Sequence, residues 1–493
     1  MKPLPYDNTD EQSIIDYALK LKGHTFQWVI DLGIKAEGAS DAYDNPNYKG
    51  GMGNLLEERY FCYKKNSDDN PDFEKIGLEL KTTCIDPVKR KSWKYKAGER
   101  LVITMIPFQN KMSSDYEGSH LCSKLENVLL IVYLRNKEIS KLDQEIKFIG
   151  KMQIPAEDLE IIKQDYSEIV ETIQQGRAQD LSESATNYLG ACTKGSNAEK
   201  SMRAQFYAPG TKAKSRAFCL KQSYMNSLLQ SLFGGKEENE SVVKDPSVLK
   251  EKTFEEIVAE LIKKNIGKTD KQLAQELNLK YSPTKKDACA AIIRNLLGVK
   301  TSNIAEFEKS NTQLKVVRLE PGQKSLKESL SLSFQSFESL MSERDWEESE
   351  LCRYFSENRF FFVFFEKTPD GPTILRGSKF WSMPTKDIEG PLKECWLKTR
   401  DTIEAGVQFT IKFKKDTDVI WRIENNLPGM MDNPVAHVRP HASRSAYKLS
   451  NGLEIGDIEK DGDQLPDGQW MTKQSFWLNR DYVYEIVTLD DPE

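Results

Sequence analysis

Residues 76–82 (IGLELKT) alternate apolar and polar side chains, the period of two expected of a strand with one face against a core. Glu79 and Lys81 then project from the same face, and Asp72 precedes them at a turn or strand start. Residues 128–134 (VLLIVYL) form an unbroken apolar run that reads as another strand. A helix follows, entered at Pro155, carried by Ile162, Tyr166, Ile169, Val170 and Ile173, and closed by Gly176. Upstream, residues 53–61 (GNLLEERYF) set Leu55, Leu56 and Phe61 on one helical side and leave Glu57 at its polar boundary.

This succession occurs twice. Gly23-His24-Thr25 is echoed by Gly267-Lys268-Thr269, 244 residues on, and residues 71–83 (PDFEKIGLELKTT) by residues 305–317 (AEFEKSNTQLKVV), 234 on. The apolar strand has its counterpart in residues 360–365 (FFFVFF), the helix entrance at Pro155 in Pro384, and the closing Gly176 in Gly406. Residues 221–224 (KQSY) match residues 473–476 (KQSF). Offsets that stay near 230 to 250 predict an α/β protein of two tandem modules, each a mixed β-sheet flanked by helices. The expected boundaries are 1–233 for the first module, 234–250 for a linker opening on GGKEENES, and 251–493 for the second.

Composition agrees with this plan. A chain of 493 residues is too long for one ordinary core, and 38% hydrophobic residues suffice to pack two. No apolar run approaches the roughly 20 residues of a membrane span, and the N-terminus lacks the basic and apolar regions of a leader, so a soluble, cytoplasmic protein with no membrane partner is expected. Eight scattered cysteines without a C-x-x-C pair read as reduced, packed thiols. The pair His437 and His441 lacks carboxylate or cysteine companions and does not read as a metal site.

The net charge of −6 argues against a protein that coats nucleic acid indiscriminately. Residues 194–221 differ. They carry Lys194, Lys200, Arg203, Lys212, Lys214, Arg216 and Lys221 against the single acid Glu199, a local charge of +6 that suits a phosphate-facing surface.

Hydrolysis of a phosphodiester needs carboxylates to hold a hard cation at the scissile phosphate and a group to orient the attacking water. Asp72 and Glu79 suit the first task, with magnesium as the expected ion, and Glu57 could complete the cluster. Lys81 suits the second, and its ammonium can also stabilise charge developing on the phosphate. In the second copy Glu57, Asp72 and Glu79 are replaced by Arg294, Glu306 and Gln313, while Lys315 persists where the first has Lys81. A site so stripped of negative charge should not hold magnesium, so the second module is expected to be catalytically dead. One active site per chain means that cutting both strands takes two chains on the DNA or two successive nicks.

The motifs GNLLEERYF, PDFEKIGLELKT and SHLCSKLENVLLI resemble those of the MutH-type nucleases, the mismatch-repair nicking enzyme and the related restriction endonucleases that cut at GATC. The resemblance implies a restriction-endonuclease core with catalytic residues at Glu57, Asp72, Glu79 and Lys81, and places Lys124 near them. It assigns base recognition to the loop at Cys192-Thr193-Lys194-Gly195 and the strand at residues 218–221, with Cys192 where an arginine is expected and Cys219 where the nicking enzyme has tyrosine. The equivalent loop of the second module carries Arg439, His441 and Arg444, with Lys473 as the counterpart of Lys221. Arginine there could bond guanine edges or phosphate.

The resulting expectation is a type II restriction endonuclease that hydrolyses double-stranded DNA at GATC and leaves 5′-phosphate ends. Its second module would grip the target or bind a second, activating DNA site. A strand-nicking repair enzyme and a non-catalytic DNA-binding regulator are the alternatives.

Overall fold

The computed structural model describes residues 4–488 except 35, 37–42, 44–49, 64–69, 90–92, 196–199, 236–238, 281, 283–286, 302, 324–325, 328 and 370. Glu199 of the basic stretch and Lys236, Glu237 and Glu238 of the expected linker therefore lie outside the described residues. The chain divides into two compact units, Met1–Phe254 with Asn303–Asn311, and Glu255–Ser302 with Thr312–Glu493. Among the described residues no helix is long and apolar enough to cross a membrane.

In the first unit the central strands are β1 (Glu79–Pro87), β2 (Leu101–Met105), β3 (Val128–Leu134), β4 (Glu145–Lys151), β5 (Leu189–Thr193) and β6 (Arg216–Leu220). Strand β1 runs parallel to β3, which pairs antiparallel with β4, while β2, β6 and β5 form a separate three-stranded sheet. The apolar run of β3 is explained by its place: Val128 to Val132 are 0% exposed because both faces of the strand are covered. Helix α1 (Gly51–Leu55) precedes this sheet, α2 (His120–Leu125) leads into β3, and α3 (Ala156–Gln174) follows β4. Helix α3 buries Ile162, Tyr166, Ile169, Val170 and Ile173, the stripe read from the sequence. Beyond β6 comes α4 (Gln222–Phe233).

The second unit repeats this wiring with β7 (Thr312–Leu319), β8 (Arg359–Lys367), β9 (Thr373–Trp381), β10 (Ala436–Pro440) and β11 (Gln474–Leu478). Glu79 sits beside Val128 across the parallel pair, and Gln313 beside Phe360; Lys81 sits beside Leu130, and Lys315 beside Phe362. The antiparallel partner of each buried strand is bulged at the same step, between Val132 and Tyr133 in one copy and Phe364 and Phe365 in the other. Smaller devices recur as well. Thr25 and Thr269 both cap a helix, Gly23 and Gly267 donate their N–H to the Ile146 and Leu375 carbonyls, and left-handed Gly77 (φ 64°) and Asn311 (φ 57°) turn the chain into β1 and β7.

Three expectations change. The KQSY and KQSF match is coincidental in register: Lys221 lies between β6 and α4, whereas Lys473 precedes β11, so Leu220 and Leu478 are the equivalent strand ends. Tyr224 corresponds to Tyr482, and their hydroxyls bond Asp158 and Asp387 respectively. The helix entered at Pro384 is broken before residues 393–405, because Gly390 leaves helical geometry next to Pro391, which has no N–H to give. Finally, residues 239–250 are not an extended tether. Val242 and Leu249 are buried, and the Glu306 carboxylate accepts from the Ser241 hydroxyl and the N–H groups of Val242 and Val243.

Asp165 on α3 anchors the approach to β5. It is buried and accepts from the backbone N–H of Asn187 (2.7 Å), Tyr188 (2.6 Å) and Leu189 (2.9 Å), while burial still pushes its pKa up to about 6. Asp165→Ala should leave three buried donors without an acceptor, each costing roughly 1–3 kcal/mol. Calorimetry of the variant is expected to show the first unit destabilised by about 3 kcal/mol or more; a loss below about 1 kcal/mol would refute this anchoring role.

Candidate active site

Strand alternation brings Glu79 and Lys81 to one face of β1, and the parallel register with β3 holds them there. Glu79 is 3% exposed, and its two oxygens divide their partners: Oε1 accepts from Lys81 Nζ at 2.6 Å and Oε2 from Lys124 Nζ at 2.9 Å. Lys124 comes from α2, which is capped by Ser119 accepting from the Cys122 N–H, and it donates also to the Asn70 carbonyl. The Asp72 N–H donates to Glu79 Oε2 (3.3 Å), and Asp72 Oδ2 accepts from the Leu80 N–H (2.8 Å), so the turn before β1 is stitched to the strand it precedes.

The electrostatics follow from this crowding. Burial, then the Glu79 charge, push Asp72 up to about 6, against the opposing pull of the Leu80 N–H, Lys81 and Lys124. Glu57 lies on a π-helical turn, Leu56–Tyr60, continuing from α1. A methyl group built on Gly53 would meet both its Oε1 and the Thr82 side chain at 3.8–4.0 Å. Tyr63, which sequence reasoning missed, is the point where the cluster's fields meet: burial first, then the charges of Asp72, Glu57 and Glu79, raise its pKa well above the ordinary tyrosine value. Its buried hydroxyl has no hydrogen-bond partner among the described residues.

The donor set can be tested against magnesium. Among the described residues no three His, Cys, Asp or Glu side chains are grouped to ligate an ion, and both Glu79 oxygens accept from lysines. Magnesium, however, commonly uses one or two carboxylates with water and substrate phosphate as its other ligands. Asp72 and Glu79, two carboxylates close enough for one to raise the other's pKa, fit that requirement.

The site opens on a cleft of about 450 Å³ whose lining includes Gly50, Gly53, Lys81, Thr82, Glu99, Arg100 and Lys194. Lys81 and Lys194, the catalytic-strand lysine and the lysine of the loop after β5, thus share one hollow. Glu99 and Arg100 were missed because nothing in their spacing distinguishes them from surface charges.

The remaining basic residues separate into two groups. Arg203 and Lys212 are exposed and Lys214 half-buried on a hairpin of Met202–Ala204 and Lys212–Lys214. Arg216 and Lys221 are buried instead: Arg216 donates to the Ala191 carbonyl, and Lys221 to the carbonyls of Thr186 and Ser310. Their charged heads satisfy buried backbone oxygens, so the expectation that they face DNA is corrected. Cys192 and Cys219 are likewise buried.

In the second unit Arg439 is exposed and stacks over the Trp477 ring at 4.5 Å, and His441 Nδ1 lies 2.6 Å from Ser475 Oγ. Arg444 is exposed, while Lys473 donates to the Lys460 carbonyl. His437 is buried against Asn479, and burial lowers its pKa, as suits a neutral packed imidazole.

Comparison with known proteins identifies the family. The family profile described as DNA mismatch repair enzyme MutH matches residues 61–165, the span from the end of the Glu57 turn through Asp72, Glu79, Lys81 and Lys124. The type II restriction enzyme Sau3AI of Staphylococcus aureus is 37% identical over 451 residues, covering 87% of this chain and 91% of that protein. DNA mismatch repair proteins MutH of Shewanella woodyi and Serratia proteamaculans are 28% and 27% identical over 187 and 237 residues, covering 38% and 47% of this chain and 78% and 98% of their own. The chain belongs to the MutH-like type II restriction endonucleases.

Proposed function

We propose that this nuclease hydrolyses both strands of double-stranded DNA at GATC, with magnesium held by Asp72 and Glu79 in the first module and the second module binding DNA without cutting it. The observation that carries this reading is the Asp72, Glu79, Lys81 and Lys124 cluster at the edge of a basic cleft, set beside a second copy in which the same strand register presents Gln313 and Lys315. The 37% identity to the relative named as a type II restriction enzyme favours cutting over nicking.

Magnesium bound there would supply Lewis acidity at a phosphate oxygen. The chain's own groups do the rest. Lys81 orients the attacking water and offsets negative charge gathering on the phosphate, and the leaving 3′-oxygen departs to give a 5′-phosphate end. Lys124 holds the Glu79 carboxylate in place from the opposite side. Glu57 and Tyr63 border the cluster and narrow the space open to solvent. Lys194, Arg203, Lys212 and Lys214 face the duplex in the first module, and Arg439, His441 and Arg444 in the second. One active site per chain means that two chains meet on the DNA or that each strand is cut in turn.

Supercoiled plasmid bearing several GATC sites, incubated with the protein and magnesium, is expected to yield discrete fragments ending at those sites, and chelation should stop the reaction. Accumulation of open circles alone would favour a nicking enzyme, and intact plasmid a non-catalytic regulator.

Asp72→Ala and Lys81→Ala should each lower the cleavage rate by about 10²–10³-fold or more, the scale of losing one preorganised charge at a phosphoryl centre. Gel-shift affinity without metal should remain within a few-fold. Cleavage at the parental rate by either variant would remove the cluster from the mechanism.

A further inference from the structure

The catalytic lysine of the first module and its second-module counterpart differ in what faces them. Lys81 bonds the Glu79 carboxylate, whereas Lys315, at the same register position on β7, stands beside Gln313. The Gln313 amide is already committed. Its Oε1 accepts from the Tyr354 hydroxyl (3.0 Å) and its Nε2 donates to Asn358 Oδ1 (2.7 Å), while Asn358 Nδ2 donates to the Tyr354 carbonyl (2.8 Å).

Tyr354 occupies the helix position of Lys124, since Ser349 and Ser119 cap their helices through the same bond to Cys352 and Cys122. An ion-paired cluster has thus become a closed neutral network. Lys315 is left half-buried with no hydrogen-bond or ion-pair partner among the described residues, and burial alone lowers its pKa.

A partly desolvated ammonium without an anion is unfavourable, and among the described residues none pairs with it: Glu306, which stands where the first copy has Asp72, is held by Ser241, Val242 and Val243. In the first module the same strand position serves a phosphodiester beside carboxylates that would attract a cation. Here Gln313 replaces the Glu79 carboxylate, Glu306 is committed to residues 241–243, and Arg294 stands where the first copy has Glu57.

We infer that Lys315 and its neutral surround form a metal-independent binding site for a DNA backbone phosphodiester, a vestigial active site converted from cutting to holding. The inference rests on the reading that the second module binds DNA. Tyr354, Gln313 and Asn358 fix the shape of the site, and Lys315 provides its charge.

The test uses the full wild-type chain with chelator present and an amine-acetylating succinimidyl ester, with modification of each lysine followed by peptide mass spectrometry. A GATC-bearing duplex is expected to slow acetylation of Lys315 at least fivefold, whereas inorganic phosphate at equal phosphate concentration should not. Protection of Lys473 without protection of Lys315 would overturn the phosphate site yet leave DNA binding by the second module standing. Protection of neither would overturn both readings. Equal protection by inorganic phosphate would make this a free-anion site, and failure of Lys315 to react in the DNA-free chain would show an ammonium sealed from any ligand; each outcome overturns the inference.

Discussion

Strand β1 is locked in parallel register to β3, and the meeting of Glu79, Lys81, Lys124 and Asp72 depends on that lock. Val128 to Val132 are fully covered on both faces, so β3 cannot slide without exposing apolar surface, and β1 inherits its position through the ladder from Glu79 to Ile85. A slip of one residue would turn Glu79 and Lys81 away from Lys124 and Asp72. The buried Glu79 carboxylate adds a second restraint. Leaving a carboxylate at 3% exposure without its cations costs several kcal/mol, so the two lysines hold the fold as well as the candidate site.

The second copy separates those two demands. It keeps the register, the bulge, the capped helices and the left-handed turn, because these are fixed by packing around an aromatic strand in which Phe360, Phe361, Phe362 and Val363 are all but completely buried. It gives up the Glu79 carboxylate and its cation together: Gln313 and Tyr354 bond one another where Glu79 and Lys124 form an ion pair. A fold maintained by backbone pairing and apolar burial can therefore exchange an ion-paired cluster for a neutral one through a few side chains without losing its architecture.

That separation also governs what could be read from the sequence. Strands β1, β3 and β8, the stripe of α3 and the duplication all follow from apolar periodicity, which packing enforces and which the structure bears out. The Lys124 contact with Glu79 left no periodic trace, since the two side chains meet across 45 residues, and only family resemblance brought them together. A match identical at three of four positions failed as a guide to register at residues 473–476, where backbone pairing equates Leu220 with Leu478 instead. Charge was misread where lysine and arginine turn inward: the stems of Lys221 and Arg216 pack while their heads bond carbonyls, a pattern that composition cannot distinguish from a basic surface.

An acidic chain that handles a polyanion needs its positive charge concentrated rather than spread. At physiological ionic strength fields decay over about 8 Å, so a duplex in the cleft would respond to Lys81, Arg100 and Lys194 on its wall far more than to a net charge of −6 summed over 493 residues. The distant acids still act, by weakening attraction to any duplex that does not enter the hollow. Burial of Arg216 and Lys221 sharpens this division, because it withdraws two charges from the surface and uses them to brace β5 and β6, the strands from which the loop bearing Lys194 is hung. Basic residues in this region thus divide their work: Lys194 lines the cleft, while Arg216 and Lys221 bond the backbone beside it.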